Sequence, residues 1–176
     1  KQLINLAEIF NYKKIDDSLS IKTNKSKKVV ICPGASVKWK SWDLENFIEL
    51  ANYLLHKKFV PIFILGPKEK NLERKLLNVF GKSRIFISND PMKTIEFSAD
   101  AKLGISNDTG CGHLIANSGI PLITIFGPTN SEKFSPIGNP HNKVVSSSKE
   151  CGSTDINKIK PELLIDKFNK LIKEIG

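Results

Sequence analysis

The sequence contains little cysteine, little arginine and no long apolar run. Its three cysteines, Cys32, Cys111 and Cys151, are too few and too far apart for a Cys-x-x-Cys metal site or a disulfide framework. We therefore expect reduced thiols in a cytoplasmic protein, with Cys111 a small buried residue. The longest apolar stretches, near 59–65 and 120–126, are strand-sized and too short to span a bilayer, and the first residues show no secretory signal pattern.

The positive charge of the chain comes almost entirely from lysine. Its 176 residues carry a formal net charge of +9, yet Arg74 and Arg84 are the only arginines. The lysines are spread over most surface-type segments with few aromatic residues between them, whereas nucleic-acid recognition favours arginine and clustering. We therefore expect no nucleic-acid partner. Most lysines should be solvated, with peripheral contact to an anionic lipid surface as a secondary role.

The motifs of several common enzyme classes are missing. The chain has no GxGxxG, GxxxxGK[ST], HExxH or GxSxG, which disfavours dinucleotide, P-loop, zinc-protease and hydrolase-elbow functions. No metal-ligand pattern stands out, so we predict neither a metal site nor a cofactor. Internal repeats and low-complexity tracts are also missing.

Apolar runs alternate with helical patterns along most of the chain. Strands are predicted over 28–34, 59–66, 84–88, 101–106, 120–127 and 143–147. Helices are predicted over 42–57, 68–81, 91–99, 109–119 and 161–175. This alternation, with strands apolar throughout, predicts an α/β fold: a Rossmann-like, doubly wound parallel sheet covered on both faces. Residues 1–27, with a helix over 2–10, are expected to be an interdomain connector to a domain of 28–176, within a longer protein.

Ligands of such sheets bind beyond the carboxyl ends of the strands, where loops lead into helix N-termini. The segment SNDTGCGH (106–113) lies at such a place. Its predicted helix start favours phosphate, with the hydroxyl of Thr109 and the open backbone of Gly110, while His113 follows about one turn later. Asp108 would repel phosphate and is better suited to sugar hydroxyls. Two structural alternatives stay open: Asp108 as a helix N-cap and His113 as a structural histidine.

Two further loops supply candidate binding residues. The loop after the first strand offers Ser36 and Lys40, because a lysine at this level can neutralise a pyrophosphate. Lys38 is expected to face solvent, and Trp42 either to pack into the core or to act as a hydrophobic staple. Glu69 stands at a helix start, where it suits either the helix dipole or a ribose diol.

Three segments together resemble the C-terminal half of glycosyltransferase family 9, the ADP-heptose:lipopolysaccharide heptosyltransferases. They are ICPGAS…KSWDLENFIELA (31–51), ILGPKE (64–69) and ISNDTGCGHLIANSGIPLITIFGPTN (105–130). The resemblance covers most of 28–145. It implies a GT-B fold, in which two Rossmann-like domains enclose the active site. It also implies that the C-terminal domain holds the nucleotide-sugar donor, whereas the N-terminal domain supplies most of the acceptor site and the catalytic base.

The resemblance also implies roles for individual residues. Lys40 would face the donor phosphates and Glu69 the nucleoside. The donor-binding loop would comprise Asp108, Thr109, Gly110 and His113. No residue of this chain is assigned as catalytic, because the base is expected in the other domain.

The function implied is the donor-binding half of an inverting glycosyltransferase. It would transfer a sugar, expected to be heptose from ADP-heptose, to a lipopolysaccharide core acceptor bound through the N-terminal domain. It would work in the cytoplasm, peripherally at the inner face of the inner membrane. The alternative is a non-catalytic nucleotide or nucleotide-sugar binding module. A receiver-type domain is disfavoured, because the first strand ends in Cys-Pro-Gly instead of an acidic cluster.

Overall fold

The computed structural model describes residues 26–176; the helix predicted over 2–10 and nearly all of the 1–27 connector lie outside them. Six strands form a single parallel sheet in the order β3-β2-β1-β4-β5-β6. They are β1 (Lys28–Cys32), β2 (Val60–Leu65), β3 (Ile85–Ile87), β4 (Leu103–Asn107), β5 (Leu122–Phe126) and β6 (Lys143–Ser146). The sheet confirms the α/β prediction.

Seven α-helices occur in the described residues. They are α1 (Leu44–His56), α2 (Lys70–Phe80), α3 (Pro91–Ser98), α4 (Gly110–Asn117), α5 (Ser131–Phe134), α6 (Ser147–Cys151) and α7 (Pro161–Glu174). Short 3₁₀ turns at Lys38–Lys40, Lys82–Arg84 and Ile156–Lys158 complete the chain. Of the six helices predicted from the sequence, the five that fall within residues 26–176 all form; α5, α6 and the 3₁₀ turns are too short to show an apolar period. In residues 26–176 no helix has the length and apolar character needed to cross a membrane.

Alternate residues of the strands build two apolar layers. Val29 and Ile31 of β1 point to the face covered by α1, α2 and α7, where Trp42 is fully buried as predicted. Val30 and Cys32 point to the opposite face, which α3 and α4 cover. Because each fully buried aliphatic or aromatic side chain contributes about 1.5–3 kcal/mol, the two layers together hold the sheet between its helices.

The centre of the sheet contains the topological switch point. β1 lies between β2 and β4, so the chain turns to one side after β1 and to the other after β4. The register pairs Cys32 with Ser106, which brings the carboxyl ends of these two strands to the same level. The loops that follow them therefore adjoin, leaving the crevice in which such folds bind ligands.

Candidate functional site

A buried amide joins the two loops at the switch point. Asn107, the last residue of β4, donates from Nδ2 to the carbonyl of Pro33 at 2.8 Å, and its Oδ1 accepts from the backbone N–H of Trp42 at 3.3 Å. The indole N–H of Trp42 in turn donates to the carbonyl of Ile159 at 2.7 Å. Both ends of the loop after β1 are thereby fixed relative to the end of β4.

Asp108 is the meeting point of three loops. Its Oδ2 accepts from Lys40 Nζ at 2.7 Å and from Thr129 Oγ1 at 2.8 Å. The Asp108 side chain is 7% exposed and that of Lys40 is 21% exposed, so the pair is largely withdrawn from water. Lys40 follows β1, Asp108 follows β4 and Thr129 follows β5. Thr129 is not among the site residues predicted from the sequence, although the Phe-Gly-Pro-Thr segment ends with it at the same edge of the sheet.

The N-cap alternative for Asp108 is wrong. Thr109 occupies the N-cap position of α4, with its hydroxyl accepting from the N–H of Gly112 at a long 3.5 Å. Asp108 precedes the cap, and its carboxylate turns to Lys40 and Thr129 instead of to the helix. The charge of Asp108 is therefore held between loops at the mouth of the helix.

The first turn of α4 lies close to the sheet. A Cβ atom on Gly112 would come 2.5 Å from Ser106 Oγ, so a glycine at this position permits the close approach. A Cβ on Gly110 would meet no atom within 4 Å, which leaves open space over the exposed helix start. Since the first N–H groups of a helix have no partners within it, this turn can bind an anion.

A cavity of about 540 Å³ lies beside this turn. Four of the predicted site residues line it: Ser36, Glu69, Thr109 and Gly110. Oε2 of Glu69 accepts from the N–H of Gly66 at 2.7 Å, which closes the loop after β2. A Cβ on Gly34 would come within 1.6 Å of Glu69 Oε1, so the bare glycine backbone leaves room for this carboxylate.

The other three predicted residues occupy different places. Lys40 and Asp108 form an ion pair and do not line the cavity. Asp108 directly precedes Thr109, which does line it. His113 is exposed on α4, outside both the lining and the ion pair, and its binding role stays a prediction. Lys38 is exposed, as expected.

Two cysteines meet on the wall of the same cavity. Cys32 is buried at the end of β1, whereas Cys111 is half-buried in the first turn of α4, where full burial was expected. The pKa of Cys32 is raised well above its usual range. The largest cause is hydrogen bonding to the Cys111 thiol, and the second is burial. Within residues 26–176, no three His, Cys, Asp or Glu side chains are grouped to hold a metal ion.

A second cavity, of about 240 Å³, lies between α5, β6 and α6. Its charged groups are already paired, since Lys149 Nζ contacts Glu132 Oε1 at 2.9 Å. None of the predicted site residues lines it. The larger cavity and the adjoining Asp108 cluster are therefore the candidate site.

Comparison with known proteins gives a family match that spans most of the chain. The model of glycosyltransferase family 9 (heptosyltransferase) matches residues 6–163. Lipooligosaccharide heptosyltransferase 2 of Campylobacter jejuni subsp. jejuni serotype O:2 is 28% identical over 167 residues, which cover 85% of this chain and 52% of that protein. This chain thus spans about half the length of that relative.

Solved structures share the fold. A family 9 glycosyltransferase from Veillonella parvula superposes with a TM-score of 0.75 at 18% identity, covering 98% of this chain and 51% of that one. The E. coli ADP-heptose lps heptosyltransferase II gives a TM-score of 0.71 at 17% identity, covering 98% of this chain and 52% of the other. At these identities the likeness establishes the fold alone.

Proposed function

The chain belongs to glycosyltransferase family 9, and we propose that it is the nucleotide-sugar-binding half of an inverting glycosyltransferase. The donor we propose is ADP-heptose, the sugar nucleotide named for the E. coli structure of the same fold. The acceptor would be the lipopolysaccharide core. Residues 1–27 would connect this half to the one that binds the acceptor.

The observation that carries the proposal is the Lys40–Asp108–Thr129 cluster beside the first turn of α4. A diphosphate needs positive charge and N–H donors, which Lys40 and the helix start provide within one crevice. A sugar needs hydrogen-bond acceptors, and the carboxylate of Asp108 is held at the same point. The cavity next to Thr109 and Gly110, with Glu69 on its wall, has room for the nucleoside.

The proposed reaction is a direct displacement at the anomeric carbon. The acceptor hydroxyl attacks while the bond to the nucleoside diphosphate breaks, so the configuration inverts. Negative charge grows on the departing pyrophosphate, where Lys40 and the start of α4 stabilise it. The base that takes the proton of the acceptor hydroxyl is assigned to no residue of this chain, and we place it in the acceptor half.

The cellular setting follows from the proposed acceptor. We place the enzyme in the cytoplasm, peripherally at the inner face of the inner membrane, where the core acceptor would be lipid-anchored. A lysine-rich surface with a net charge of +9 would favour approach to anionic lipid.

Thermal unfolding tests donor binding. The chain is heated alone and with ADP-heptose, ADP or a UDP-sugar at equal concentrations. A ligand present at about one hundred times its Kd adds roughly 2.7 kcal/mol to the free energy of unfolding. For a domain of this size, that corresponds to a rise in Tm of about 5–10 °C. ADP-heptose should give the largest rise.

Matched variants connect the rise to the site. Lys40→Ala should abolish most of it, whereas Lys38→Ala, an exposed lysine in the same 3₁₀ turn, should leave it unchanged. Each variant is compared with its own ligand-free Tm, because removing Lys40 also leaves the carboxylate of Asp108 without its counter-ion. A larger rise with a UDP-sugar would refute the donor assignment. Equal rises with ADP and ADP-heptose would favour a nucleotide-binding module.

A further inference from the structure

Two thiols from distant parts of the chain share the inner wall of the candidate cavity. Cys32 ends β1, and Cys111 is the second residue of α4. Both line the cavity, and hydrogen bonding to Cys111 is the largest cause of the raised pKa of Cys32. Cys111 also packs against the apolar layer to which Cys32 belongs. The pair is therefore part of the packed fold.

The backbone explains why the thiols meet. Cys32 is level with Ser106 on the neighbouring strand, and α4 begins three residues after Asn107 and crosses the same face. Gly112 allows the first turn of α4 to approach Ser106 closely. Cys111 precedes Gly112 in this turn and therefore lies near the end of β1.

The two thiols differ in accessibility. Cys32 is 3% exposed, whereas Cys111 is half-buried. Contact with Cys111, burial and the nearby charge of Glu69 raise the pKa of Cys32 well above the usual range of a thiol. A reagent entering the cavity therefore meets Cys111 first. Cys32 can then react with the modified sulfur of Cys111.

We propose that Cys32 and Cys111 form a redox-active dithiol site that reacts with small disulfides. The Cys111 thiolate attacks one sulfur of the small disulfide, breaking its S–S bond and releasing one small thiol. Cys32 then gives up its proton and attacks the sulfur of Cys111, releasing the second small thiol. The protein loses two electrons and two protons as the Cys32–Cys111 bond forms, and the small disulfide is reduced to two thiols.

The bond would join the end of β1 to the first turn of α4. The Cβ atoms of a disulfide lie about 3.5–4.5 Å apart, so the cross-link fixes that turn against the sheet. Thr109 and Gly110 belong to the same turn and line the cavity. Oxidation should therefore weaken nucleotide binding, by about tenfold if one hydrogen bond to the ligand is lost. This last consequence rests on the proposed function, whereas the thiol chemistry does not.

The experiment uses the full chain with Cys151→Ser, which removes the exposed third thiol. The folded protein is incubated with oxidised glutathione, and its intact mass and peptide map are followed over time. We expect loss of the mass of two hydrogen atoms, a peptide pair linked through Cys32 and Cys111, and reversal by dithiothreitol. ADP binding before and after oxidation gives the second readout.

Single substitutions test the order of events. In Cys32→Ser the reaction should stop at a stable glutathione adduct on Cys111. In Cys111→Ser the buried Cys32 should stay unmodified. If Cys32→Ser proves too polar to fold, Cys32→Ala serves the same purpose.

The two readouts separate the possible failures. No reaction in the folded protein, a persistent adduct on Cys111 in the parent, or modification of Cys32 in Cys111→Ser would each overturn the dithiol site. A disulfide that leaves ADP affinity unchanged would overturn its coupling to the ligand. A chain that binds no ADP in either state counts against the proposed function, while the mass still decides the thiol chemistry.

Discussion

The close approach of α4 to the sheet predicts that Gly112→Ala destabilises the protein. The new Cβ would lie 2.5 Å from Ser106 Oγ and 3.3 Å from the carbonyl oxygen of Asn107. Ordinary contact begins at 3.4 Å, so the helix or Ser106 must move by about 0.9 Å, the difference between 3.4 and 2.5 Å. Overpacking of this kind costs about 1–3 kcal/mol, and the better helix propensity of alanine offsets about 0.5–1 kcal/mol of it.

The expected net loss is about 0.5–2 kcal/mol, which lowers Tm by roughly 1–8 °C in a domain of this size. Differential scanning calorimetry of Gly112→Ala measures it. Gly110→Ala is the control in the same helix, because its Cβ meets no atom within 4 Å, and its Tm should stay equal or rise slightly.

A second substitution identifies the contact. Ser106 Oγ is buried and has no hydrogen-bond partner within the described part of the chain, so Ser106→Ala alone should be neutral or slightly stabilising. It also removes the atom closest to the new Cβ. The double variant should therefore recover most of the lost stability. A Gly112→Ala protein as stable as the parent, or a double variant as unstable as Gly112→Ala, would refute the reasoning.

Three further predictions concern the loops. Thr129→Val removes the hydroxyl that donates to the buried carboxylate of Asp108, so it should lower Tm and also weaken ADP-heptose binding about three- to tenfold in calorimetric titration. A fall in Tm without loss of affinity would contradict the binding role. Asn107→Ala leaves the backbone N–H of Trp42 unpaired and should lower the free energy of unfolding, measured with urea, by about 2–4 kcal/mol. A decrease below about 1 kcal/mol would argue against the role of Asn107 in fixing the loop. Glu69→Ala should weaken ADP binding but leave inorganic pyrophosphate binding unchanged, and equal losses for both would contradict its assignment to the nucleoside.

Much of the fold could be predicted because its signals are local. Apolar runs mark β1 to β6, and the ends of several helices are set by nearby residues. Gly81, for example, ends α2 with a positive φ of 72°. At the start of α3, Asp90 accepts from the N–H of Met92 at 2.9 Å. Such signals need no knowledge of the tertiary structure, which is why helix bounds differ from prediction by at most two residues.

The contacts within the site are not local, and sequence reasoning predicted fewer of them. Whether Asp108 or Thr109 caps α4 depends on the backbone angles at the turn, and the choice decides where the Asp108 carboxylate points. Thr129 reaches Asp108 only because β5 lies beside β4. Cys32 and Cys111 line the same cavity because of the register of β1 against β4 and the close approach of α4 to the sheet. Neither feature can be predicted from the distance between the two cysteines in the sequence.

The ion pair between Lys40 and Asp108 has a consequence for turnover. Lys40 already has a counter-ion in Asp108, so an arriving diphosphate exchanges one anion for another instead of meeting an unpaired positive charge. Under the proposed function, the donor compensates the displaced carboxylate with its sugar hydroxyls. The product nucleotide has lost that sugar, which leaves the carboxylate beside phosphate of the same charge. The site would then hold donor more firmly than product, and the return of Asp108 to Lys40 would help to expel the spent nucleotide.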